Sequence, residues 1–180
     1  MTFKIPQIIG LSIILDILVL DQLSKWWVME HVFRPEMGGT PLSLIEWIMN
    51  APNPLQYISI PIMPYFNLTM VWNRGVSFGM MQDMGIWPLT VLALAISAFL
   101  TVWIFRSTSK FESIALGMII GGAIGNVVDR LRFGGVADFL DIYVGTYHWP
   151  SFNIADSAIT IGVVLLLIQG MIMSDNKEVR

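Results

Sequence analysis

Four stretches of this chain stay apolar for long enough that only lipid suits them as solvent: residues 5–28, 86–105, 113–129 and 152–173. About 20 helical residues cross the ~30 Å hydrocarbon layer, and in lipid only a helix or a closed barrel satisfies every backbone N–H and C=O. The third stretch is short, so its polar ends must lie close to the apolar border. Composition agrees, with 55% hydrophobic residues, 13% charged residues and a mean hydropathy of +0.68. The expected fold class is an all-α polytopic membrane protein. One membrane-embedded domain spans residues 1–180, with four transmembrane helices and a small β-containing extra-membrane cap over residues 29–85.

The first stretch is read as a retained span rather than a cleaved leader. It carries Asp16 and Asp21, runs on too far and lacks a small-residue cleavage site. Trp26 and Trp27 close it, Trp87 opens the second span and Trp149 precedes the fourth, as interfacial aromatics would. Lys and Arg divide evenly between the two sides, so charge alone leaves the orientation undecided. Placing both termini and the short Arg106–Glu112 connection in the cytoplasm is the simpler arrangement. Residues 29–85 and 130–151 then lie outside.

Within the cap, Phe66, Leu68, Met70 and Trp72 alternate with Asn67, Thr69, Val71 and Asn73, a period of two that predicts a strand with one apolar face. Asn73-Arg74-Gly75 reads as the turn after it. Earlier, Thr40 and Pro41 suit the start of a short helix whose Leu42, Ile45, Ile48 and Met49 share one face. That segment is either an interfacial helix or a loop packed on the spans.

A net charge of −3 offers no basic field for a polyanion, so nucleic acid is not an expected partner. Cysteine is absent, which removes disulfides, thiolate metal sites and cysteine nucleophiles. His31 and His148 are the only histidines, and neither has a neighbour at ligand spacing. No metal and no cofactor is expected.

The candidate chemistry rests on carboxyls. The third and fourth spans form an antiparallel hairpin, so Asp129 at the end of one and Asp156 at the start of the other share a membrane side. Two neighbouring carboxyls cannot both ionise cheaply and tend to share one proton, the state that acid/base peptide hydrolysis uses. The bland alternative is that both only cap or salt-bridge helix ends. Asn126 and Asn153 each lie one turn before one of these aspartates and could orient water or substrate backbone. Arg130 could either reach lipid headgroups, the blander role, or lower the pKa of a nearby carboxyl. Asp138 and Asp141, in the loop between the spans, are expected to be solvated. Gly117, Gly121 and Gly125 recur every fourth residue and form a close-packing helix face. Asp21 and Lys25 are spaced for an intrahelical pair, unless Lys25 reaches lipid phosphate instead. Asp16 lies deeper and is expected to face the bundle interior.

In combination these motifs resemble the lipoprotein signal peptidases, the type II signal peptidases of bacteria. Asp21-Gln22-Leu23-Ser24-Lys25 looks like the first box and Asn73-Arg74-Gly75-Val76-Ser77-Phe78 like the second. Residues 121–130, from Gly121 to Asp129-Arg130, are similar to the third. Val136-Ala137-Asp138-Phe139 is similar to the fourth and Phe152-Asn153-Ile154-Ala155-Asp156 to the fifth. All five occur in family order. The resemblance implies an aspartic endopeptidase of the bacterial inner membrane, with its active site near the outer face. Such an enzyme removes signal peptides from diacylglyceryl-modified prolipoproteins, cutting before the lipidated cysteine. It implies Asp129 and Asp156 as the catalytic pair, with Asp21, Lys25, Asn73, Asn126, Arg130, Asp138 and Asn153 supporting or binding substrate. Its partners would be lipidated prolipoproteins and membrane lipids, and the enzyme would act as a monomer. The stretch from about His31 to Pro64 is longer than the family pattern. A small transporter would place its carboxyls nearer the midplane, and a purely structural subunit would tolerate isosteric changes at both aspartates.

Overall fold

The computed structural model describes residues 4–75 and 85–178, with side chains to residue 172. Helix α1 covers Ile5–Glu36 and is followed by α2 at Leu44–Asn50, β1 at Ser59–Met63 and β2 at Phe66–Asn73. Then come α3 at Trp87–Arg106, α4 at Lys110–Phe133, β3 at Val136–Val144, β4 at Tyr147–His148 and α5 at Ile154–Glu178. The architecture is mostly helical, with four helices long and apolar enough to cross a membrane and an antiparallel sheet in the order β1-β2-β3-β4.

Helix α4 is the centre of the bundle: 61% of its apolar window is buried, against 17% for each of the other three. Its glycines explain how neighbours come so close. A Cβ on Gly117 would meet the Gly10 carbonyl at 2.7 Å, and one on Gly121 would meet the Ile14 carbonyl at 2.8 Å. Gly122 faces the Ala155 carbonyl of α5 in the same way. The expected close-packing face is therefore real: Gly117 and Gly121 seat α1, and Gly122 seats α5 on the adjoining side of α4. Helix α4 ends at Gly134, whose φ of 73° is a left-handed conformation that costs glycine little.

Three features depart from the sequence expectation. Helix α1 does not stop near residue 28 but continues into the cap through a π-type stretch, Val28–Phe33, just before Pro35, which has no N–H to donate. There Met29 and Phe33 are fully buried with Trp47, Met70 and Phe139, so the outer end of α1 belongs to the cap core. The short helix starts at Leu44 rather than Pro41. Ser43 caps it, accepting from the Glu46 amide at 3.3 Å while its own N–H donates to Glu46 Oε2 at 2.9 Å, a reciprocal arrangement that Thr40-Pro41 cannot match. The region read as a loop at 130–151 holds β3 and β4 instead, because β2 offers β3 a full antiparallel partner: Asn67 pairs Asp141, Val71 pairs Asp138 and Asn73 pairs Val136. The strand over residues 66–73 forms as expected. Its Phe66, Leu68, Met70 and Trp72 pack into the cap core.

Candidate active site

At the start of α5, Asn153 and Asp156 cap each other. Asn153 Oδ1 accepts from the Asp156 amide at 2.9 Å, and Asp156 Oδ2 accepts from the Asn153 amide at 3.3 Å. The same sequence spacing that caps the helix thus holds the Asp156 carboxyl at its N-terminal end, where backbone dipoles favour negative charge. Asn126 of α4 donates to Asp156 Oδ1 at 2.8 Å.

Strand pairing brings a second carboxyl to the same place. Asp138 on β3 accepts from Asn153 Nδ2 at 2.7 Å and from Asn73 Nδ2, on β2, at 3.0 Å. Asn153 Nδ2 also reaches Asn126 Oδ1 at 3.2 Å, so one amide side chain ties together the surroundings of both aspartates. Asn73 is held in turn by the Gly75 amide, which donates to Asn73 Oδ1 at 3.2 Å. Asp138, Asp156 and Asn73 line one cavity of about 640 Å³, with Trp149, Phe152 and Thr160 on its walls. Asp138 is 1% exposed. Burial, reinforced by the neighbouring Asp156 charge, pushes its carboxyl up to about 8. Donation from Asn73 and Asn153 opposes that rise without cancelling it.

This geometry corrects the expected pairing. Asp129 is fully buried and points away from the cavity, toward α1, where Lys25 Nζ lies 2.7 Å from Asp129 Oδ2. Its other oxygen accepts from Gln22 Nε2 at 2.9 Å. The carboxyl that shares the cavity with Asp156 is Asp138, expected from sequence to be solvated. Asp141, given the same expectation, is buried as well: Thr69, Asn67 and His148 all bond to it. Burial would raise the Asp141 carboxyl, but the bonds from His148, Thr69 and Asn67 outweigh it and the carboxyl is held below its usual range.

Lys25 binds both Asp21 and Asp129, each at 2.7 Å, and all three side chains are 0% exposed. The expected Asp21–Lys25 pair is therefore present, and Lys25 is sequestered from lipid phosphate. Each carboxylate also grips one backbone amide. Asp21 Oδ1 accepts from Ala155 N at 3.0 Å, and Asp129 Oδ2 accepts from Ala137 N at 3.1 Å. Ala155 directly precedes Asp156 and Ala137 directly precedes Asp138. One lysine thereby clasps the two backbone points from which the cavity carboxyls hang.

Arg130 is half-buried, donating to the Asn126 carbonyl at 3.4 Å, and lines with Asn126 a second, apolar cavity of about 250 Å³ between α3, α4 and α5. Asp16 is exposed on the outer face of α1, not turned into the bundle as expected. Sequence reasoning left out Gln22, which also donates to Asp21 Oδ2 at 3.1 Å. Its only signal was its place inside the first box. Val76, Ser77 and Phe78 of the second box lie outside the described residues.

A family model described as Signal peptidase (SPase) II matches residues 13–172. A lipoprotein signal peptidase of Photorhabdus laumondii is 38% identical over 162 residues, covering 87% of this chain and 93% of that one. One from Rhizorhabdus wittichii is 38% identical over 173 residues, covering 94% and 89%. For one from Cupriavidus taiwanensis the match is 46% identical over 114 residues and spans 61% of this chain and 65% of the relative's length. Among solved structures, a bacterial membrane enzyme determined by the in meso method superposes with a TM-score of 0.70 at 24% identity, covering 93% of this chain and 90% of that one, which is a likeness of fold. By the extent of the family match and the identity to full-length relatives, this chain belongs to the signal peptidase II family.

Proposed function

We propose that the protein is an aspartic endopeptidase that removes signal peptides from diacylglyceryl-modified prolipoproteins, cutting before the lipidated cysteine, with Asp138 and Asp156 as its catalytic pair. The observation that carries this reading is that these two carboxyls alone among the described acids line one cavity, cross-linked through Asn153. The pair shares one proton. Asp138, whose burial favours the neutral form, polarises the scissile carbonyl as an acid, while Asp156 takes a proton from the attacking water. As the tetrahedral intermediate collapses, the C–N bond breaks and a proton passes to the leaving nitrogen. Asn73, Asn126 and Asn153 hold the carboxyls in register, and Asp21, Lys25 and Asp129 set the backbone beneath them. Arg130 borders the apolar cavity and supplies a cation beside the substrate's path.

The enzyme would sit in the bacterial inner membrane with its site near the outer face, as a monomer that draws lipidated precursor by lateral diffusion. The exposed Ile45, Ile48 and Met49 of α2 support a position along the lipid surface. The test uses purified protein in phospholipid vesicles with a diacylglyceryl-modified precursor, unlipidated precursor as control, and mass spectrometry of the cut. Asp138→Asn and Asp156→Asn are each expected to lower single-turnover cleavage by about a thousandfold or more while the protein stays folded. Near-normal turnover by either variant rejects the pair.

A further inference from the structure

Asp16 lies midway along the Ile5–Trp27 part of α1, about 16 Å by helical rise from either end and hence close to the bilayer midplane. The helix is amphipathic in an unusual sense. One side, with Gly10, Ile14, Ile17 and Asp21, packs against the glycines of α4. Asp16 is on the other side, exposed, with Ser12 one turn away and Ile8, Leu15, Val19 and Leu23 around it, all turned out of the bundle. Other described acids at the spans have partners for their carboxyls: Asp21 and Asp129 in Lys25, Asp156 in Asn126 and Glu112 in Ser107. Asp16 makes no hydrogen bond or ion pair among the described residues.

A carboxyl held against acyl chains is costly, and the short Asp side chain cannot reach either surface from mid-span. We propose that this face of α1 is a docking face for a transmembrane helix of another membrane protein that presents a basic side chain at the same depth. Charge complementarity selects this occupant. Lys25, Arg106, Lys110, Arg130 and Arg132 all lie at span ends, so the described residues supply no cation at midplane depth. A second copy would bring another Asp16 to the same level and set like against like. The face lies on the side of α1 away from α4, so an occupant there leaves the Asp138–Asp156 cavity open.

The experiment places donor-labelled full-length protein in phosphatidylcholine vesicles with an acceptor-labelled Leu-Ala helix bearing one central Lys, and measures energy transfer against the same helix without it. The Lys helix is expected to associate about threefold to twentyfold more tightly with the wild-type protein, the range that an interhelical polar contact spans in bilayers. Asp16→Leu should abolish that preference and leave precursor cleavage unchanged. Asp16→Asn should keep only part of it. Equal binding of both helices overturns the proposal, as does a full preference retained by Asp16→Asn. Association of the protein with itself that depends on Asp16 and is indifferent to the Lys helix overturns it in favour of a second copy.

Discussion

Replacing Lys25 by Met tests the clasp beneath the two cavity carboxyls. The lysine ammonium lies 2.7 Å from both Asp21 and Asp129, and no part of the three side chains reaches the surface. Methionine keeps the volume and removes the charge, so two buried carboxylates are left facing one another without a cation. Breaking a buried pair by removing one partner costs about 3–5 kcal/mol, equivalent to roughly two to three and a half orders of magnitude in the folding equilibrium. Denaturant unfolding in detergent micelles should show that loss directly. Because the same carboxylates hold the Ala137 and Ala155 amides, the fraction that stays folded should also show reduced kcat with little change in KM. Adding Asp129→Asn to Lys25→Met removes one of the stranded charges and should restore a measurable part of the stability. A single variant that loses under about 1 kcal/mol, or a double variant less stable than the single, would refute the clasp.

The pH dependence follows from Asp138, whose carboxyl is raised from the ordinary range to about 8 by burial and by Asp156. Its folded pKa is above its unfolded one, so the neutral form is favoured in the fold; the stability that this protonation confers is fully present below the ordinary carboxyl range and is lost as pH rises through about 8, together with the acid function proposed for it. Single-turnover cleavage should therefore fall above that pH, and a rate that stays flat to pH 10 contradicts the acid role. Gly125→Ala places a methyl carbon 2.5 Å from Asp21 Oδ2, a contact that only displacement of that carboxylate can relieve. We expect a loss of about 1–3 kcal/mol in unfolding assays together with slowed cleavage, and a neutral outcome would show that the helices do not pack this closely.

Much of this molecule is legible from local pattern. The four spans follow from length and hydropathy, because the backbone in lipid has only a helix or a barrel to choose from. The strand at residues 66–73 follows from its period of two. The packing of α4 follows from glycines one turn apart, and the Asp21–Lys25 pair from a spacing of four. The spacing of Asn153 and Asp156 places an amide one turn from the carboxyl without any tertiary information. The partner of Asp156 is a different matter. Asn126 and Asp129 lie three residues apart on α4, which turns them about 60° from each other around the helix axis. On a helix with neighbours on several sides, that is enough to send Asn126 toward α5 and Asp129 toward Lys25 on α1. Asp138 reads as a loop residue until β3 pairs with β2 and carries it beside Asn73 and Asn153. Local pattern set the four spans, the strand at residues 66–73 and the charges that lie at membrane depth, since each of these depends on neighbours within a turn or two. Tertiary structure alone decided which carboxyls meet, because helix rotation and strand register are settled by contacts among residues distant along the chain.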